Sequence, residues 1–136
     1  MTVAEVLAQD HRLLDDLFGR FLASPDRAGA LRAIREFDET LRRHTRREEE
    51  ELFPPAPEGK LVAREEESEG DRLFRELRLE HVQIRELSGM IVRQLGEGGD
   101  VRAARGIATN LARRWEAHTE REEREAIAFL EEGAGR

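Results

Sequence analysis

The chain has no cysteine and no tyrosine, one lysine (Lys60), one tryptophan and four histidines among 136 residues. Without cysteine there are no disulfides, thiolate metal sites, iron–sulfur clusters or cysteine nucleophiles. Any metal must therefore rest on imidazole, carboxylate and water. The lack of tyrosine removes tyrosyl radical chemistry. Long apolar runs are also missing, and the opening "MTVAEVLAQDHRLL" is charged by Glu5. That predicts neither a signal peptide nor a membrane span, and a cytoplasmic location is expected. The net charge of -7 comes with no one-sided basic patch, which argues against a nucleic-acid partner.

Charged residues make up 39% and apolar residues 38% of the chain. Because the apolar residues recur at helical spacing, that balance fits amphipathic helices rather than disorder. The length suits a single domain over residues 1–136 with one ordinary core.

Four helical segments follow from the spacing. Thr2 and Glu5 form a capping-box pattern ahead of Val3, Leu7, Leu14, Phe18 and Phe21. "SPD" at Ser24 to Asp26 ends this helix and starts the next, with Ser24 read as the N-cap and Pro25 in the first turn. The second helix carries Leu31, Ile34, Phe37 and Leu41 and runs to about Phe53, where "PPAPEG" breaks it. A third holds Leu73, Leu77, Ile84, Ile91 and Leu95 and stops at "GEGG". Asp100 caps a fourth with Ile107, Leu111, Trp115 and Phe129. No period-two stretch is long enough for a strand. The expected fold is all-α, an up-down-up-down four-helix bundle.

The chain is also doubled. "HTRREEEELF" from His44 returns as "HTEREEREAI" from His118, with six of ten positions identical. "DHRLLDDLFG" from Asp10 is echoed by "EHVQIRELSG" from Glu80. The lags agree, 70 residues from His11 to His81 and 74 from His44 to His118, so two helix pairs give pseudo-twofold symmetry. His44 precedes Phe53 by roughly 13 Å of helix, and His81 follows Gly70 by roughly 16 Å. The two histidines share a level if the third helix starts near Gly70, with residues 54–69 mainly a connection.

A glutamate four residues after a histidine means little alone, because about one residue in six is glutamate. Its place on the helix means more. At roughly 100° per residue, Glu48 and Glu122 fall near the centres of the apolar faces of the second and fourth helices, and His44 and His118 fall within those faces. His11 and His81 lie at the edges of their own apolar arcs. A buried carboxylate without a partner is very costly, and no arginine or lysine interrupts these stripes. Two bound cations would supply the missing charge.

Six nitrogen and oxygen donors, His11, His44, Glu48, His81, His118 and Glu122, exceed what one tetrahedral zinc needs. They suit a pair of first-row metals, each with two histidines and with the carboxylates bridging. Two iron ions are the natural pair, and manganese or a mixed pair fits the same donors. Such metals keep room for an oxo (Fe–O–Fe) or hydroxo bridge, or for O2, peroxide or NO. Asp10 and Glu80 point toward their apolar arcs, where they can orient a ligand imidazole or serve in capping and surface pairing. Asp15 lies off its arc and reads as solvated. Glu49 and Glu123 are spare-ligand candidates. Trp115 reads as packing beside the site.

The stretches "QDHRLL", "RRHTRREEEELFP", "LEHVQIREL" and "WEAHTEREE" together resemble the hemerythrin-like, or HHE cation-binding, family over nearly the whole chain. The resemblance implies a four-helix bundle with a non-haem di-iron centre. It carries His11, His44, His81 and His118 over as ligands, with Glu48 and Glu122 as bridging carboxylates. Oxygen-carrying members of that family hold a second histidine in the third helix, four residues from the first. Here the flanking residues are Leu77 and Arg85. Their last bridging acid is an aspartate five residues after its histidine, whereas Glu122 follows His118 by four. One metal is thus short of a protein ligand, which disfavours reversible oxygen carriage.

Three functions compete. The leading one is a metal-binding protein whose di-iron centre takes O2, NO or peroxide for sensing, storage or detoxification. The second is a di-iron peroxidase, catalase or ferroxidase, for which no further acid/base beside the metals is evident. The third is a metal-free interaction bundle. The physiological ligand, the protein partner and the oligomeric state are not written in the sequence.

Overall fold

A computed structural model of the chain describes residues 2–56 and 67–134. Helices α1 (Val3–Ala23), α2 (Arg27–Arg47), α3 (Glu69–Gly96) and α4 (Val101–Arg121) run up and down in sequence. Two of them do not stop where their α-helical hydrogen bonding stops. A π-helical turn, Glu48–Leu52, extends α2, and a second, Glu122–Ala126, leads from α4 into α5 (Ile127–Ala134). Contacts join α1 to α2, α2 to α3 and α3 to α4, and α1 closes the bundle against the second π turn and α5. The bundle is all-α, with no strand among the described residues. None of its described helices is long and apolar enough to cross a membrane.

The caps explain the boundaries. Thr2 accepts from the Glu5 amide while Glu5 accepts from the Thr2 amide, each at 3.1 Å, which completes the expected capping box. At the first turn the assignment of Ser24 needs correcting. Ser24 ends α1, its hydroxyl donating to the Arg20 carbonyl at 2.8 Å. Asp26 starts α2 by accepting from the Gly29 amide at 2.7 Å. Both residues are good N-caps, and the backbone path through Pro25 leaves Asp26 as the one that faces the first turn of α2. Ser68 and Asp100 cap α3 and α4. Gly98 turns between them at φ 73°, a backbone conformation that glycine adopts without strain.

The start of α3 at Glu69 agrees with a beginning near Gly70. The expected connection over 54–69 is non-helical at 54–56 and 67–68, and its residues 57–66 lie outside those described. Arg78 anchors its first part, donating to the Pro54 carbonyl at 2.6 Å with its guanidinium 5.5 Å over the Phe53 ring.

Two apolar clusters fill the bundle. The larger draws on all four helices and includes Leu14, Phe37, Ile84 and Leu111. The smaller, Phe53, Leu73, Phe74, Leu77 and Ala126, closes the other end. Each fully buried large side chain contributes about 1.5–3 kcal/mol. Phe129, expected in the fourth helical stripe, is instead 39% exposed and meets Phe74 edge-on. The π turn before it takes in an extra residue, which rotates everything downstream away from a 100° extrapolation. Ile107 and Leu31 are only half-buried at the core margin.

Candidate metal centre

Between the two apolar clusters lie all four histidines together with Glu48 and Glu122, none of them more than 5% exposed. His11 comes from α1, His44 from α2, His81 from α3 and His118 from α4. Glu48 and Glu122 open the two π turns. In each turn the glutamate amide bonds back to the histidine carbonyl and the following threonine carbonyl. The residue five positions on, Phe53 or Ile127, then bonds to the glutamate carbonyl. The sequence repeat is therefore also a repeat of an uncommon backbone turn, one that recurs at functional sites.

Each imidazole is held from behind through Nδ1. His11 meets Glu123 at 2.8 Å, His44 meets Asp10 at 2.9 Å, His81 meets Glu49 at 3.0 Å and His118 meets Glu80 at 2.7 Å. An acid on every Nδ1 favours a proton there, which turns each Nε2 toward the interior as the atom able to ligate a metal. All four Nε2 atoms face Glu48 and Glu122. His11 Nε2 lies 2.8 Å from Glu122 Oε1, and His118 Nε2 lies 3.0 Å from Glu122 Oε2. His81 Nε2 lies 3.4 Å from Glu122 Oε2 and 3.8 Å from Glu48 Oε1. His44 Nε2 is in contact with Glu48 Oε1.

Most of these approaches are close without being aligned. Nε2 of His44, His81 and His118, both carboxylate oxygens of Glu48 and Oε2 of Glu122 are buried with no hydrogen-bond partner among the described residues. One buried unpaired polar group costs about 1–3 kcal/mol, and six at one point would be ruinous for a domain of ordinary stability. A cation satisfies imidazole nitrogens and carboxylate oxygens together. The donors fall into two groups whose ligand atoms lie within 4.8 Å of one another. One is His11, His44, Glu48 and Glu122; the other is His81, His118 and Glu122. Glu122 belongs to both.

The protonation pattern agrees. Burial, and next the charge of Glu122, push the Glu48 carboxyl well above the usual carboxylate range. Burial alone raises Glu122 too, but the His11, His118 and His81 imidazoles beside it outweigh that and hold the carboxyl well below the range. His118 is lowered by burial and raised more strongly by Glu122 and Glu80, reaching about 10. Asp10 is lowered first by its bond to His44. Glu49 and Glu80 are raised by burial but lowered further by their histidine and arginine partners. Glu48, Glu122 and His118 thus compete for protons that a cation bound among them would displace.

All six sequence candidates are brought together here. The structure also resolves the roles left open around them. Asp10 and Glu80 orient imidazoles, and neither caps a helix. Glu49 and Glu123 do the same and do not face inward as spare ligands. Arg85, one of the two α3 residues four positions from His81, donates to Glu49 and to Thr45, both at 2.9 Å. Asp15 is exposed as expected, yet it accepts from the Trp115 indole at 2.7 Å. Trp115 packs edge-on against His11 with ring centres 5.5 Å apart. Asp10 and Glu80 were legible from the acid before His11 and His81, whereas only the consecutive glutamates after each HT motif hinted at Glu49 and Glu123.

The family model for the Hemerythrin HHE cation binding domain matches residues 2–130. The chain belongs to that family, whose members bind metal cations, and its buried histidine–glutamate cluster fits such a site. No curated protein and no solved structure matches it.

Proposed function

We propose that the chain holds two first-row metal ions, with iron as our assignment and manganese or a mixed pair fitting the same donors. His11, His44 and Glu48 would hold one ion, His81 and His118 the other, and Glu122 would bridge them. The observation that carries this is the set of buried donor atoms without partners, gathered into two groups that share Glu122. A redox-active pair supplies electrons to, and a binding position for, a diatomic molecule or peroxide. We read its work as taking O2, NO or peroxide for sensing, storage or detoxification, in a single cytoplasmic domain.

The residues around the centre favour binding over turnover. The second group offers three protein side chains where the first offers four, which leaves the more open position beside His81 and His118. Asp10, Glu49, Glu80 and Glu123 are all engaged by imidazole Nδ1 atoms and do not stand free as acid/base groups. Outside, Phe53 stacks parallel to His81 and Trp115 meets His11 edge-on, so both imidazoles lie against an aromatic ring.

Anaerobic loading with ferrous iron followed by titration with NO tests the reading. The expected result is a saturable change in the optical and electron paramagnetic resonance spectra. Fully loaded protein that responds to none of NO, O2 and peroxide would overturn it. For the peroxidase, catalase or ferroxidase alternative, peroxide consumption is compared with Glu48→Gln. Many turnovers in the wild type and few in the variant would favour the enzyme.

A further inference from the structure

At the end of the bundle away from the histidines lies a cavity of about 440 Å³. Phe21 on its wall is ten residues beyond His11, roughly 15 Å along α1, so this space is separate from the candidate metal centre. The cavity is within the range used for small-molecule sites. Its apolar lining comes from Phe21, Leu22, Ala30, Leu95, Val101 and Ala104. Arg27 and Arg105 stand at the same cavity, from the first residue of α2 and the second turn of α4.

Three features set it apart. Leu22 and Val101 leave 57% and 38% of their surface exposed at its rim, beside Phe21 and Ala104 at 5% and 1%. The Arg27 Nε is buried with no hydrogen-bond partner. Among the described residues, neither the Arg27 nor the Arg105 guanidinium has an ion pair, although the chain carries a net charge of -7. The other polar groups there are already used. Asp26 caps α2, the Ser24 hydroxyl donates to Arg20, and the Thr109 hydroxyl donates to the Arg105 carbonyl.

An apolar wall with exposed rim and two unpaired guanidiniums complements one kind of ligand. We propose that this cavity binds a small apolar carboxylate of the medium-chain fatty-acid class. The alkyl chain covers Phe21, Leu22 and Val101, and the carboxylate takes charge-assisted hydrogen bonds from Arg27 and Arg105. The Asp26 carboxylate at the same mouth selects a monoanion over a multiply charged phosphate. The site stands independently of the metal reading.

Calorimetric titration of the metal-loaded chain with decanoate, decanol and acetate tests this below the micelle concentration. Decanoate is expected to bind once per chain, at least about tenfold tighter than decanol, with acetate undetectable. Arg27→Gln combined with Arg105→Gln should weaken decanoate at least about tenfold while thermal unfolding and metal content stay unchanged. Equal binding of decanoate and decanol, or no loss in the double variant, would overturn the proposal. So would a dimer that buries Leu22 and Val101, or binding to anionic vesicles without binding of monomeric decanoate.

Discussion

Behind His81 and His118 stand carboxylates that are themselves gripped by arginines. Glu49 accepts from Arg85 at 2.9 Å and Glu80 accepts from Arg121 at 2.8 Å. Behind His11 and His44 the support is looser. The Glu123 side chain is 45% exposed, and Arg47 stays 3.9 Å from Asp10. The inward side shows the opposite bias, with four donors in the first group and three in the second. The group with fewer inward donors thus has the tighter outer network behind its imidazoles. Arg85 makes the contrast concrete, because it occupies the turn of α3 beyond His81 and acts on that imidazole through Glu49. An arginine on the carboxylate also draws negative charge away from the imidazole, so His81 and His118 are the less electron-rich pair.

The shared carboxylate should matter most. Glu122→Ala removes a donor from both groups, and bound metal is expected to fall from about two ions per chain to a small fraction of one, as read by elemental analysis. Glu48→Ala touches the first group, and loss of about one ion with the His81–His118 position retained would confirm the asymmetry. If the two variants lost metal equally, the comparison between the groups would fail.

The outer shell gives intermediate effects. Glu49→Gln, which breaks the Arg85–Glu49–His81 chain, should weaken metal binding about 10–100-fold. Glu123→Gln, at a half-exposed carboxylate without an arginine partner among the described residues, should cost less than about tenfold. Competition against a chelator measures both. The reverse order would mean that the arginine ties do not determine how firmly the histidines are held.

A pH dependence separates metal-free from loaded protein. Burial lowers His118, but its bonds to Glu122 and Glu80 win and raise it to about 10. A raised folded value contributes stability that is complete below the unfolded value of about 6.5. That contribution is lost as pH rises through the folded one. The melting temperature of metal-free protein should therefore decline between roughly pH 7 and 10. Metal replaces the proton in the loaded protein, and its melting temperature should hold steady across that window. Parallel curves would count against His118 as a ligand. The smallest effect belongs to Glu50→Ala, an exposed residue of the same acidic run, which should leave metal content unchanged.

Much of the bundle and of its interior cluster is legible in the sequence. The doubled "HTxREE" pattern and the apolar faces that it interrupts led to the bundle and to the six inward residues. A charged group at the centre of a buried stripe is a contradiction that sequence alone reveals. The outer residues were harder to read. Glu49 sits one position from Glu48 in a run of four glutamates, and its tie to His81 depends on where α3 lies relative to α2. The π turns left no separate mark, since they depend on tertiary contacts rather than local propensity, and through them Phe129 moved from the expected core to the surface. Ser24 and Asp26 are both good caps, and only the backbone path showed which helix each one serves.

The central claim is that two ions share one carboxylate in the bundle interior. Elemental analysis of folded, iron-reconstituted protein alongside Glu122→Ala tests it most directly. The account predicts about two ions per chain in the wild type and a small fraction of one in a variant that stays helical. Well-folded wild-type protein that takes up no metal, or a Glu122→Ala chain that keeps both ions, would contradict it.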